Sequence, residues 1–496
     1  MRLSTIAMVC LYALPALSNG PFGTLTVVQA ESLPAGPSPL SAVTASDWRF
    51  VELVYAPLYV RSTRGFAAWL AESVTVKNEG KTLVVALSDD AQWSAGRDIA
   101  ARDVVYTYEL ARQGKWNRAF AAELVNIVRV QVAENGMDIE FELRSPIVAP
   151  ESLLTVPIIP SGLHGPLSDI SKQRPLPLGV LGAGMYKLVD PQDSTRLVHN
   201  PNCIRKPRIS EVRFISSGNS STSIDMVRLH GDTVTFDQTP ADSSIHDREF
   251  GTSVLVHPRP YVIAIAIGAI PSLWNDKAVL SAAKRSIDRS ALFSIGDGGI
   301  PSAVAPTPGA KGQQGSKELP PTNKKSAQKS LDNAGWKLSI GTRIRTQATD
   351  SGTAKRLELP LLIDANDRQS LRRASLLRHQ LRIIGIDLRI EASPRLTFLS
   401  RLASREFPAA LISLRADMTA LFHSQGMWNS NGYHDAATDT ALESGQWKVA
   451  AQHTLNTAPS FVLGTMQRTG VSGRNVMTPR ITGRGGFADF HKWRIR

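Results

Sequence analysis

The chain has 496 residues, more than one hydrophobic core supports, which implies two or three domains. With 42% hydrophobic and 20% charged residues it is globular, which excludes a disordered or fibrous class. Lys and Arg number 56 against 43 Asp and Glu, a net +13, but the cations are dispersed and form no tract, so a solvated surface is favoured over a nucleic-acid face.

The N-terminus carries Met1-Arg2, an apolar run over residues 6–17, then small and polar residues, the pattern of a secretory signal peptide. Ala16-Leu17-Ser18 and Val28-Gln29-Ala30 each offer a cleavage site, and residues 1–30 are assigned to the signal. The run is too short to cross a bilayer, and no later stretch reaches the roughly twenty apolar residues a spanning helix needs. Cys10 follows Val9, where lipidation expects a small residue. Cys203 is then the single thiol of the mature chain, which excludes an internal disulfide and a cysteine zinc site.

Residues 31–46, rich in Pro, Gly, Ser and Ala, read as a linker. Residues 81–87 make a β-branched strand, Trp93 is expected to be exposed, and Ser94-Ala95-Gly96 is a turn in which Gly supplies a positive φ. The following helix places Val104, Tyr108 and Ala111 on one face. Residues 128–132 and 139–143 alternate around Asn135-Gly136, a type I′ hairpin signal. Gly182-Ala183-Gly184 lacks the third Gly of a nucleotide loop and precedes a strand. Its two glycines are expected to take φ values that other residues avoid.

A buried strand spans residues 262–268, and a helix over 327–335 ends on Gly335. A strand over 357–363, an amphipathic helix over 371–384 with a strongly basic outer face, and a strand over 409–417 that runs into a loop complete the pattern. No Gly-x-Ser-x-Gly elbow, His-Glu-x-x-His motif or Walker loop occurs. His423 and His434 read as surface or structural residues, and the ten His do not cluster at metal spacing. Neither a metal nor a cofactor is expected.

The order of these motifs resembles family 5 extracytoplasmic solute-binding proteins, the oligopeptide-, dipeptide- and nickel-binding proteins of ABC importers. The resemblance rests on Tyr55-Ala56-Pro57-Leu58, Leu70-Ala71-Glu72-Ser73, the Trp93-to-Val104 signature, Gly182-Ala183-Gly184-Met185-Tyr186, Asn200-Pro201, Ile287-Asp288-Arg289, Asn431-Gly432-Tyr433 with Asp439, and Ala458-Pro459. It covers nearly all of the mature chain. Where the family opens the signature helix with Thr and then an acid, Ala100 and Arg102 stand here, so the helix is expected to lack an N-cap oxygen and a first-turn negative charge.

The resemblance implies an α/β two-lobed periplasmic-binding-protein fold, type II, of the cluster with an additional third domain. Lobe I (domain I) would be discontinuous, built from residues 31–59, 173–256 and 463–496. Domain II, residues 60–172, would be inserted in it, and residues 257–462 would form lobe II (domain III). In peptide-binding members the ligand lies extended between the lobes, pairs with a strand edge and has its α-ammonium held by an Asp. By motif position that Asp is Asp417 and the pairing edge is residues 413–415, with Ser413 and Arg415.

Tyr55, Trp428 and Tyr433 complete the expected ligand-binding set. From the residues alone, Asp417 equally suits the cap of a helix starting near Met418. Arg415 suits a carboxylate, a phosphate or solvent, and the two aromatics suit a core. The implied function is a monomeric periplasmic binding component. It would capture peptides, without catalysis or nucleic acid, for the inner-membrane permease subunits of an ABC transporter. An exported hydrolase with an unrecognised site, and a degenerate member acting in protein interaction or chaperone-like roles, are the competing readings.

Overall fold

Leu25, Val27 and Val28 are fully buried, because Thr24–Gln29 is the middle strand of a seven-stranded sheet. The computed structural model describes residues 22–29, 38–39, 42, 45–62, 65–113, 124, 126–147, 149–161, 181–190, 193–218, 220–238, 251–256, 261–293, 299–307, 319–339, 341–348, 353–414, 416–426, 428–478, 481 and 486–496. The sheet order is Ser253–Val256, Thr469–Ser472, Thr233–Gln238, Thr24–Gln29, Glu211–Ser216, Arg196–His199 and Tyr186–Leu188. The middle strand runs parallel to both neighbours, Thr26 lying opposite Arg213 on one side and Thr233 on the other. Leu25 and Val27 pack with Phe50 and Val51 of helix Ala45–Val54 in one core.

This position corrects the assignment of residues 1–30 to a signal. Cleavage after Ala30 would remove the central strand, whereas cleavage near Ala16-Leu17-Ser18 leaves it whole. The expected linker over residues 31–46 also ends earlier, since Ala45 already begins a helix.

A second, six-stranded sheet carries the other lobe in the order Gly299–Pro301, Phe461–Met466, Tyr261–Ile267, Ala409–Leu414, Glu358–Asp364 and Asp387–Ser393. Its strands are apolar on both faces, as a sheet covered by helices on both sides requires. Ile263, Ile265 and Leu411 face a core with helices Lys277–Ser286 and Arg368–Ile383. Val262, Ala264 and Ile412 face another, with Phe398 and Leu402 of helix Arg395–Ser404. The chain leaves this sheet at Met466 and enters the first at Thr469. The lobe boundary is therefore Gln467-Arg468 and not residue 463, because Tyr261–Ile267 holds Phe461–Met466 in register.

A four-stranded sheet, ordered Ala71–Lys77, Thr82–Leu87, Ile139–Leu143 and Ile127–Val132, packs on helix Ala101–Gln113. Its buried Leu83, Val85 and Phe141 join the same core as the seven-stranded sheet. Val104, Tyr108 and Ala111 are buried as their spacing requires, but Trp93 is fully buried too, against expectation. The helix also keeps a first-turn charge. Asp103 Oδ2 accepts the Ala100 N–H at 3.1 Å, and its Oδ1 accepts the Ser161 N–H at 2.8 Å and the Ser161 hydroxyl at 2.6 Å.

Two turns form for other reasons than expected. Gly136 has a φ of 73°, but Asn135 stays at negative φ, so the loop is not type I′. The Ala133 N–H instead reaches Asp138 O, and the Gly136 N–H reaches Ala133 O. Gly182 and Gly184 do not adopt positive φ. They are glycines because a Cβ at either position would lie 2.0 Å from Val54 O or 2.4 Å from Leu53 O, where helix Ala45–Val54 ends.

Candidate functional site

The strand Ala409–Leu414 is bonded unequally on its two sides. Along its whole length it pairs antiparallel with Tyr261–Ile267, Ser413 opposite Ile263 and Leu414 opposite Val262. On the other side its register with Glu358–Asp364 is confined to Ala410 and Leu362. From Leu411 onward that edge has no strand partner among the described residues, which leaves backbone groups able to pair with an extended chain. Ser413, buried at its hydroxyl, has no hydrogen-bond partner for that oxygen.

Asp417, three residues past this strand, is half-buried and caps helix Met418–Phe422, its Oδ1 accepting the Ala420 N–H at 3.0 Å. The capping role weighed from sequence is therefore real, and it occupies one carboxylate oxygen. Arg415 lies outside the described residues. Trp428 is 8% exposed and belongs to the core under this strand, its backbone N–H donating to Ala420 O. Tyr433 packs on the same core and its hydroxyl meets Thr457 Oγ1 at 2.5 Å and Thr438 Oγ1 at 3.1 Å. Burial raises the Tyr433 phenol above its ordinary pKa, partly offset by those two hydroxyls. Tyr55 sits apart in the lobe I core, and burial drives its phenol well above the ordinary range. The structure thus gathers Ser413, Asp417, Trp428 and Tyr433 in lobe II and separates Tyr55 from them.

His423 and His434 meet through one carboxylate. His434 Nδ1 lies 3.2 Å from Asp439 Oδ2, and Asp439 Oδ1 accepts the Ser424 N–H at 2.9 Å. The Gln425 N–H donates to His423 Nδ1 at 3.0 Å, so His423 presents its Nε2 proton to Glu443 Oε1 at 3.2 Å. With every ring nitrogen of His423 engaged, this group fastens helix Ala436–Glu443 to the Asp417 loop. Among the described residues, no group of His, Cys, Asp and Glu forms a metal site.

Lobe I offers a polar nest that the sequence did not reveal. Gln29 and Gln238 end neighbouring parallel strands, the end at which open α/β sheets bind ligands. Arg49 Nη1 donates to Gln29 Oε1 at 3.5 Å and to Ser46 Oγ at 3.2 Å, and its guanidinium stacks 4.5 Å from the Phe236 ring centre. Gln29 Nε2 and Gln238 Oε1 are buried without hydrogen-bond partners. The alternating Thr24-to-Gln29 segment was a legible strand signal, obscured by its nearness to the leader.

The passage between lobes is also marked by charge. Arg468 stands 5.9 Å from the Tyr261 ring centre, where the other passage enters lobe II. Burial pushes the Asp367 carboxyl up, but Arg468, the Ser370 hydroxyl, the Gln369 N–H and Arg373 together hold it below its ordinary pKa.

Residues 65–458 match the profile of bacterial extracellular solute-binding proteins, family 5 Middle. The chain belongs to this family. The family 5 fold is equally plain in solved structures. The oligopeptide-binding protein AppA from Bacillus subtilis, in complex with a nonapeptide, superposes with a TM-score of 0.80 at 18% identity, covering 96% of this chain and 99% of that one. NikZ from Campylobacter jejuni, in complex with Ni(L-His), gives 0.77 at 17% identity over 95% and 99%. The Escherichia coli murein tripeptide binding protein MppA gives 0.74 at 16% identity over 95% and 98%. At these identities the likeness is one of fold: α/β and two-lobed. No curated protein sequence matches the chain significantly. Among the described residues, no helix is long and apolar enough to cross a membrane.

Proposed function

We propose that this family 5 member captures a peptide between its lobes and delivers it to the inner-membrane permease of an ABC transporter. The observation that carries the reading is the one-sided pairing of Ala409–Leu414, whose open edge runs toward Asp417. An extended peptide adds to that edge through its backbone, a mode indifferent to the side chains it carries. Asp417, whose Oδ1 holds the cap, brings a carboxylate charge for the ligand's α-ammonium. The Gln29–Arg49–Gln238 nest supplies polar groups from lobe I. Residues 467–468 form one of the two passages about which the lobes close. Export through the N-terminal signal, with cleavage ahead of Thr24, places the protein in the periplasm. Binding needs no cofactor and no covalent step.

The test is thermal unfolding of the mature protein against di- to pentapeptides, nickel complexes and small organic anions. A ligand that binds only the native state raises the midpoint by mass action. Asp417→Asn separates the two roles, since Asn caps as well as Asp but carries no charge. Peptide-dependent shifts that vanish in Asp417→Asn, with the ligand-free midpoint unchanged, support the reading. A response to organic anions alone would transfer the role to Arg415 or Arg49. No response on a folded sample would move the function to protein interaction, and hydrolysis of any library member would make the protein an enzyme.

A further inference from the structure

Residues 324–389 hold 14 Lys and Arg against six Asp and Glu, so they carry +8 of the chain's net +13. No tract in the sequence shows this, because folding gathers the charge from three elements. Gln328 of helix Lys324–Asn333 donates to Ile383 O at 3.3 Å, at the end of helix Arg368–Ile383. From that helix Arg382 donates to Thr342 O at 2.8 Å, in the turn between Lys337–Leu338 and Arg345–Ala348. Lys325, Lys329, Arg343 and Arg378 are exposed around this junction, and no ion pair engages them among the described residues.

The acids closest to the junction are already neutralised. Asp332 accepts Arg345 at 2.5 Å, and Asp387 is shared by Arg382 at 3.4 Å and Arg356 at 3.6 Å. Two large apolar side chains protrude among the cations, Leu338 at 52% and Ile383 at 45% exposure. Leu338 reaches Gly385, two residues past Ile383, so the two exposed groups stand close together. Exposed cations around exposed aliphatic side chains match a bilayer surface, where phosphates pair with the cations and the aliphatic groups enter the headgroup layer.

We propose that this corner of lobe II docks on an anionic lipid surface, with lipid phosphates as its ligands. The attraction is independent of the solute between the lobes. It would hold the binding protein in the layer next to the membrane, where a membrane-embedded partner is met by search in two dimensions.

The test is cosedimentation of the mature protein with phosphatidylcholine vesicles, with and without phosphatidylglycerol. Each cation near such a surface strengthens binding by roughly fivefold. The wild type should bind only the anionic vesicles, and less as salt shortens the screening length. Lys325→Gln, Lys329→Gln, Arg343→Gln and Arg378→Gln combined should weaken binding by at least about a hundredfold. A control with Arg97, Arg102, Arg144 and Lys448, exposed elsewhere, changed to Gln has the same net charge and should bind within about threefold of wild type if the corner, not the total, is read. Leu338→Ser with Ile383→Ser should weaken binding while leaving its salt dependence intact. Equal loss in the control variant would overturn the proposal. So would equal binding to both vesicle types, or capture of a polyaspartate peptide without any binding to vesicles. The circular dichroism of each variant must match wild type, and the Ser pair reads the same surface if the charge variant does not fold.

Discussion

Arg468 and Tyr261, which lie 207 positions apart in the sequence, meet with the guanidinium 5.9 Å from the ring centre, so one passage between the lobes grips the start of the strand that follows the other. Arg468→Ala and Tyr261→Leu should therefore show a coupling energy of about 0.5–1 kcal/mol in a double-mutant cycle. Because Arg468 also draws the Asp367 carboxyl down, Arg468→Ala should raise that pKa and move acid unfolding to higher pH. Additive stabilities in the cycle would show that the contact does not fasten the hinge.

Asp103 is the anchor of the signature helix. It holds the Ala100 N–H and both donors of Ser161. Asp103→Ala should cost about 2–3 kcal/mol, because it strands three part-buried donors of a charged acceptor. Ser161→Ala, which leaves the backbone bond in place, should cost about 1 kcal/mol. Denaturant unfolding of both variants checks the ratio.

His491 tests the acid side of stability. Burial, then Arg205 and Lys492, push its pKa from 6.5 to about 4, and its Nδ1 is buried without a partner. The unfolded chain thus binds a proton that the folded chain refuses between these values. Stability should fall as pH drops from about 6.5 toward 4. The effect should be about 1–2 kcal/mol, less than full linkage because the ring is partly solvated. In His491→Gln this part of the pH profile should flatten.

Lys284 tests the alkaline side. Burial, then the charge of Arg289, lower its pKa from 10.5 to about 8, although its ammonium donates to Ala458 O at 2.5 Å and lies 5.4 Å from the Phe461 ring centre. Here the unfolded chain binds the extra proton between about pH 8 and 10.5, so this residue's contribution to stability rises with pH across that window. The difference between wild type and Lys284→Met should grow by about 1–3 kcal/mol in favour of wild type over it. A constant difference would mean that the ammonium is solvated.

The position of Thr24–Gln29 makes a prediction about processing. A chain starting at residue 19 should fold, and one starting at residue 31, without the central strand, should not. N-terminal sequencing of the exported protein should find a residue ahead of Thr24. Cleavage after Ala30 together with cooperative unfolding would contradict this.

Strands and helices with strong periodicity were legible because burial writes itself into spacing. Val104, Tyr108 and Ala111 are one example, and the apolar run from Tyr261 to Ile267 another. What failed depended on chain segments meeting from afar. Trp93 reads as exposed beside a turn, but it is buried in the core shared by lobe I and the small sheet. Gly182 and Gly184 read as φ requirements, but it is the end of a helix about 130 residues earlier that excludes a side chain there. At the site, motif position made Asp417 visible, whereas Gln29, Arg49 and Gln238 have no local signature and come together only when parallel strands align their ends. Of the basic corner the sequence showed one part, the basic outer face of the helix over 371–384; the other cations are scattered along the chain and joined to it by contacts such as Gln328 with Ile383.

Among the described strands, the central strand of lobe I comes earliest in the chain. Its neighbours, Glu211–Ser216 and Thr233–Gln238, follow nearly two hundred residues later. Until both have been made, this strand has nothing to pair with, and the sheet lacks its middle. Loop closure over that span slows folding, so pairing of this strand waits until nearly half of the chain has been made. Under the proposed export, in which the chain is threaded through a membrane before it folds, order of synthesis works as a timer.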